Sequence, residues 1–119
     1  MADAFTQAGE ELTADIIGAQ TPTPTWRIGW GTGAGVASKA STTLFSESAE
    51  ARQDAALSQP TADSNEFRAT LISLSQQIVT NAGVFSALSG GTLYIHSDFP
   101  GIALDPGDGI LFIFTQTWE

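Results

Sequence analysis

His96 is the only histidine of the chain, and it stands two residues before Asp98 in the run Tyr94-Ile95-His96-Ser97-Asp98. On an extended segment residues i and i+2 point to the same side, so an imidazole held by a carboxylate is open to this pair. Acyl-transfer chemistry then needs a third member, a hydroxyl or thiol nucleophile. The chain has no cysteine. Its serines are many, but none sits in a Gly-x-Ser-x-Gly elbow; Ser86 and Ser89, between Gly83 and Gly90, fall in the wrong frame. His96 therefore reads as a surface or strand-end residue.

Two further runs invite a chemical reading. Gly29-Trp30-Gly31-Thr32-Gly33-Ala34-Gly35 has the glycine content of a phosphate loop, but it lacks both Gly-Lys-Ser/Thr and Gly-x-Gly-x-x-Gly. It reads as a turn where a β-carbon would clash. Asp105-Pro106-Gly107-Asp108-Gly109 brings two carboxylates together without the spacing of a calcium loop, and reads as a turn solvated by its own aspartates. Glu10, Glu11 and Asp15 read as a solvated helix face. No catalytic residue, cofactor site or metal site is assigned, and the chain is expected not to be an enzyme.

The balance of 13 acidic against 4 basic side chains, a net charge of -9, argues against binding nucleic acid, which needs clustered Lys and Arg on phosphate. It disfavours an anionic membrane surface for the same reason. No run reaches the about 18 apolar residues of a spanning helix, and no basic-then-apolar leader opens the sequence. A soluble chain made in the cytoplasm is expected. Charged residues are only 14% of the total, so much of the surface must be Ser, Thr, Gln, Ala and Gly, which suits packing against neighbours.

With 119 residues the chain fits one domain, 1–119, in which 1–20 form an N-terminal helix or arm and 25–119 a β-sandwich. Phe5, Ala8, Leu12 and Ile16 make an apolar stripe over residues 3–17, with Asp3 placed to cap the helix and Gly18 to end it. Residues 21–25 alternate threonine and proline as an extended connector. Trp26, Ile28 and Trp30 share one face of the strand that follows. Residues 42–46 read as a brief helix or turn, 47–57 as a weak strand carrying Arg52 among acidic residues, and 59–65 as a loop.

The second half is patterned more strongly. Phe67, Ala69 and Leu71 alternate with polar residues in a strand over 66–75, and Ile72 and Leu74 shift that pattern as a bulge or two-sided burial would. Residues 77–85 are extended with an interruption at Asn81-Ala82-Gly83, and Ser89-Gly90-Gly91 turns the chain into a hairpin with 92–97. Residues 99–109 read as a long connection. In the last strand, 110–118, Ile110, Phe112, Phe114 and Trp118 share one face and Leu111, Ile113, Thr115 and Thr117 the other. An apolar start on both faces predicts a central strand or one covered by a partner. The pattern predicts a mainly β, antiparallel β-sandwich or jelly roll with a short N-terminal helix.

This order of parts resembles small structural proteins of tailed phages. There an amphipathic helix (here Phe5-Thr6-Gln7-Ala8-Gly9) precedes a strand with a Gly-x-Gly turn (Ile28-Gly29-Trp30-Gly31-Thr32-Gly33). A polar segment, an Asn-Ala-Gly-Leu-Phe-like motif (Thr80-Asn81-Ala82-Gly83-Val84-Phe85) and a Gly-Gly hairpin (Gly90-Gly91-Thr92-Leu93) follow. A Pro/Asp/Gly turn (Leu104-Asp105-Pro106-Gly107-Asp108) then leads to the last strand. The resemblance implies a head decoration (cement) protein on the capsid exterior of the virion. Its implied partners are the major capsid protein and further copies of itself, as a trimer ahead of a dimer.

The chain has no internal repeats or heptads, which sets it apart from long fibres. A tail, neck or fibre-attachment protein is the second reading. A small carbohydrate-binding β-sandwich, with Trp26, Trp30 or Tyr94 as stacking platforms, is the third. Phe5, Leu12, Ile16, Trp26, Trp30 and Trp118 are the expected core or interface anchors, since large apolar side chains supply most contact energy.

Overall fold

Alternation of apolar and polar residues fixes the strands, and the computed structural model describes residues 2–18 and 24–117 of the chain they build. In chain order these are β1 (Ala2–Phe5), α1 (Gln7–Ile17), β2 (Arg27–Gly31), β3 (Gln53–Asp54), β4 (Ala56–Thr61), β5 (Ser64–Ile72), β6 (Gln77–Phe85), β7 (Leu93–Leu104) and β8 (Gly109–Thr117). They form two antiparallel sheets, one ordered β1-β7-β6-β2-β3 and the other β4-β5-β8. The molecule is the expected mainly β sandwich with one short helix near its N-terminus.

The core lies between the sheets. Phe67, Ala69 and Leu71 of β5 and Phe112 and Phe114 of β8 face Trp26, Ile28, Trp30, Val79 and Val84 from the larger sheet. Trp26 meets Phe67 edge-on at 5.7 Å between ring centroids, and Trp30 meets Phe112 at 6.1 Å. Such pairs add about 0.5–1.5 kcal/mol to the burial of the rings themselves. Phe5, Leu12 and Ile16 pack half-buried against this core, so α1 closes the flank beside β7.

From Asn81 to Phe85 every residue of β6 is buried, because this central strand is covered on both faces. Ala82 and Val84 belong to the inter-sheet core. Asn81, Gly83 and Phe85 face an irregular layer formed by residues 32–52, from which Leu44 packs with Phe85 and Leu93. Gly83 has no room for a side chain. A Cβ there would stand 2.5 Å from Leu93 Cδ1 and 2.8 Å from the carbonyl oxygen of Ile95.

Several sequence expectations are corrected. The helix starts at Gln7 and not at residue 3, because Ala2–Phe5 pair with β7 as a strand (Ala2 opposite Asp98, Phe5 opposite Ile95). Thr6, not Asp3, caps it, its hydroxyl accepting the Gly9 N–H at 2.9 Å; Gly18 closes it as expected. Residues 21–23 of the Thr-Pro connector lie outside the described residues, as does Trp118. The 47–57 strand is reduced to Gln53–Asp54 and the start of β4, with one further bridge between Glu47 and Gly31. The 59–65 loop is in fact a hairpin between β4 and β5. Pro60 is tolerated because β4 is an edge strand with a register shift between Ser58 and Thr61.

Residues 99–104 likewise continue β7. Pro100 and Gly101 fall where the β6 register shifts between Val79 and Asn81, so the proline sits in a bulge, and the connection shrinks to the turn before Gly109. Asn81-Ala82-Gly83 does not interrupt β6. The shift at Ile72 and Leu74 marks neither a bulge nor burial on two faces. Both side chains are exposed, and β5 pairs with β8 without a break from Ser64 to Ile72. β8 is an edge strand of its sheet and not a central one.

Gly83→Ala tests the double covering of β6. It should lower the stability measured by denaturant unfolding by about 1–3 kcal/mol, the usual cost of overpacking where backbone is in the way.

Candidate functional site

His96 lies opposite Gly83 in the β6–β7 pairing and faces the 32–52 layer, fully buried instead of exposed at a strand end. Its Nδ1 is 2.9 Å from Ser41 Oγ and its Nε2 3.1 Å from Asn81 Oδ1. Asn81 settles the tautomer. Its Oδ1 accepts the Phe45 N–H while its Nδ2 donates to Phe45 O and Thr80 Oγ1, so Oδ1 calls for an Nε2–H donor and Nδ1 is left to accept from Ser41.

A serine hydroxyl beside an unprotonated imidazole nitrogen is half of a nucleophilic arrangement. The surroundings give it a different task. Ser41 Oγ also accepts the Ser38 N–H at 3.0 Å, the Phe45 ring lies 4.7 Å from the imidazole, and the ring presents no surface to a substrate. Asp98 does not hold the imidazole in the pair that the i, i+2 spacing left open; its carboxylate accepts the Ala37 N–H at 2.8 Å. These side chains pin residues 37–45 onto the larger sheet. Burial pushes the His96 pKa below its ordinary value, against a smaller upward pull from the Asp98 charge.

Glu50 and Arg52 pin the rest of the layer. Glu50 accepts from Trp30 Nε1 at 3.2 Å, from the Leu74 N–H at 2.9 Å, from Gln77 Nε2 at 3.0 Å and from the Ser48 hydroxyl. Burial raises its pKa, but the hydrogen bonds from Ser48, Leu74 and Gln77 outweigh it and hold the carboxyl at about 2. Arg52 is buried and forks onto both Glu47 oxygens at 2.8 Å, while its Nη1 donates to the carbonyls of Ala87 and Gly90. Its guanidinium stacks 3.4 Å above the Phe85 ring centroid. The β6–β7 hairpin tip is thereby tied down.

The part of the surface left unsatisfied lies around β8. Its inner side and the facing part of β7 border an open groove of about 390 Å³ lined by Ile95, Phe99, Ile102, Phe112 and Phe114 among others. Its outer side exposes Leu111 and Ile113, with Ile72 of β5 beside them. β8 carries no charged residue from Gly109 to Thr117. The four basic side chains of the protein are all in ion pairs: Arg27 with Asp54, Lys39 with Glu10, Arg52 with Glu47 and, on β5 opposite Ile113 and Thr115 of β8, Arg68 with Glu66. Among the described residues no cluster of side chains suits a metal ion.

The expected anchors do not gather into one patch. Trp26 and Trp30 are core residues, 8% and 1% exposed, and Phe5, Leu12 and Ile16 back the same core from α1 and β1. Tyr94 is buried too, its hydroxyl donating to Gln116 Oε1 at 2.9 Å, so the three rings proposed as sugar platforms are closed to a sugar. Ser41, Asn81 and Glu50 were missed because their partners are far away in the chain; only a lone arginine amid acidic residues hinted at Arg52. Comparison with protein families, curated proteins and solved structures finds no significant match.

Two pH dependences follow. The unfolded chain titrates His96 near its ordinary pKa and the folded protein resists protonation, so stability should be level above about pH 7 and fall as pH drops below about 6.5. Glu50 contributes stability above its ordinary range, lost as pH falls from about 4.5 towards 2. Urea midpoints measured against pH should lose the first slope in His96→Gln and the second in Glu50→Gln.

Proposed function

We propose that this protein is a structural subunit that joins protein surfaces, and that its setting is the virion of a tailed phage, as a head decoration protein on the major capsid protein lattice. The observation that carries the joining role is β8, a strand apolar on both faces that lies at an open sheet edge. A strand of that composition suits a sheet interior or a strand covered by another protein. The surface elsewhere is poor in charge and its cations are engaged internally, which suits repeated contacts with neighbours more than capture of an anionic ligand. The phage setting rests on the order of helix, Gly-x-Gly turn, Gly-Gly hairpin and Asp-Pro-Gly turn along the sandwich. Many identical weak contacts on a lattice add up by multivalency.

The purified protein should co-sediment with empty phage capsids and raise their melting temperature. No association at micromolar concentration counts against the head reading. Immunogold label confined to tails would move the protein to the tail or neck of the same particle.

A further inference from the structure

The sheet edges of this molecule are not alike. β1 and β3 are short, at four and two residues, and β4 carries Pro60 and a register shift. The part of β7 beyond its pairing with β1 holds Pro100 and a bulge against β6. Short length, proline and bulges are the devices by which proteins stop sheet edges from pairing with other chains. β8 has none of them. It is nine residues long, regular in its pairing with β5, free of proline and free of charge.

From this contrast we propose that β8 is the self-association edge of the protein: two copies pair β8 to β8, antiparallel about a twofold axis at Ile113, joining two three-stranded sheets into one of six strands. The inference deepens the reading as an assembling subunit by naming the surface and the partner, and it gives a twofold unit in place of the trimer expected from the sequence. A second copy is favoured over a foreign strand by the residues of β8 themselves. Ile113 is the midpoint of Gly109–Thr117, so centring there pairs the whole strand. It sets Phe112 opposite Phe114 on the inner face, twice by symmetry, an aromatic pair of the kind that stabilises neighbouring strands, with Ile110 opposite Gln116 beside it and Leu111 opposite Thr115 and Gly109 opposite Thr117 on the outer face.

Charge sets the direction of the pairing. Two chains of net charge -9 repel, and the acidic turn at Asp105 and Asp108 directly precedes β8. The antiparallel arrangement places the two turns at opposite ends of the joint, about 27 Å apart at ~3.4 Å per residue, beyond three Debye lengths of about 8 Å. A parallel arrangement would bring them side by side.

The test uses the full chain, which has no native cysteine. Sedimentation equilibrium should give twice the 12.4 kDa chain mass. Ile113→Cys should cross-link into a disulfide dimer under mild oxidation, while Thr117→Cys, whose mate lies about 27 Å away at the same rise, should not. Ile113→Lys, on the exposed face, should keep the circular dichroism of the fold and weaken dimerisation by more than about tenfold. A monomer at high micromolar concentration, equal cross-linking at both positions, or dimers indifferent to Ile113→Lys would each overturn the proposal. Its failure is separable from that of the functional reading: a monomer that still binds capsids sinks only the β8 joint, and a dimer that binds none sinks only the capsid role. Loss of capsid binding by Ile113→Lys in a protein already monomeric would assign the edge to a foreign strand and overturn self-pairing.

Discussion

A sheet strand buried on both faces has to be covered twice, and most of this structure is arranged around covering β6. One cover is the second sheet, supplied by regular alternation. The other is a stretch of some twenty residues with no helix and hardly any strand, whose own backbone polar groups need partners in a partly dry place. Side chains supply them. Asn81 takes both backbone groups of Phe45, His96 reaches Ser41 from the sheet, Asp98 takes Ala37, and Glu50 and Arg52 tie the far end to the β5–β6 connection between the sheets and to the hairpin tip. Each of these groups would be costly to bury alone. Together they make an irregular segment part of the fold.

How much of this was legible depends on distance along the chain. The burial of Phe67, Ala69 and Leu71, the shared face of Trp26, Ile28 and Trp30, and the Gly-Gly hairpin are local patterns, and they were readable. Misreadings fell where a local signal met a tertiary exception. Pro60 and Pro100 look like loop residues, yet one sits on an edge strand and the other in a bulge, where a missing N–H costs little. Phe5 begins the helical stripe read over residues 3–17, but pairing with β7 claims Ala2–Phe5 as a strand, and the Thr6 hydroxyl caps the helix that follows. The polar pins of the covering layer left no signal, since Asn81 and Phe45, or Trp30 and Glu50, are brought together only by the finished sheets.

The two-sided apolar pattern of β8 was legible as well, though its position was not. Sequence offers two explanations for such a strand, interior or covered by a partner, and the topology removes the first. Acidic residues lie on α1, in turns, on the covering layer and on β1, β3, β5 and β7, while β8 has none. β4 and β6 are uncharged as well, but β6 is interior and β4 carries Pro60, so β8 is the uncharged edge without such protection, which natural sequences avoid on an unused edge.

Of the six strand pairings among the described residues, β4–β5 and β6–β7 are hairpins, and the other four join segments far apart in sequence. Ala2 lies opposite Asp98, Arg27 opposite Phe85 and Ser64 opposite Thr117, so even the three-stranded sheet is incomplete until the final strand exists. Such non-local pairing is slow to nucleate, because long loops must close before any contact rewards them. During synthesis, at about 5–20 residues per second, the β4–β5 and β6–β7 hairpins therefore form ahead of the long-range pairs that join them. Closure of the sandwich is then the late event, with the aliphatic residues of β8 among the last to find their places.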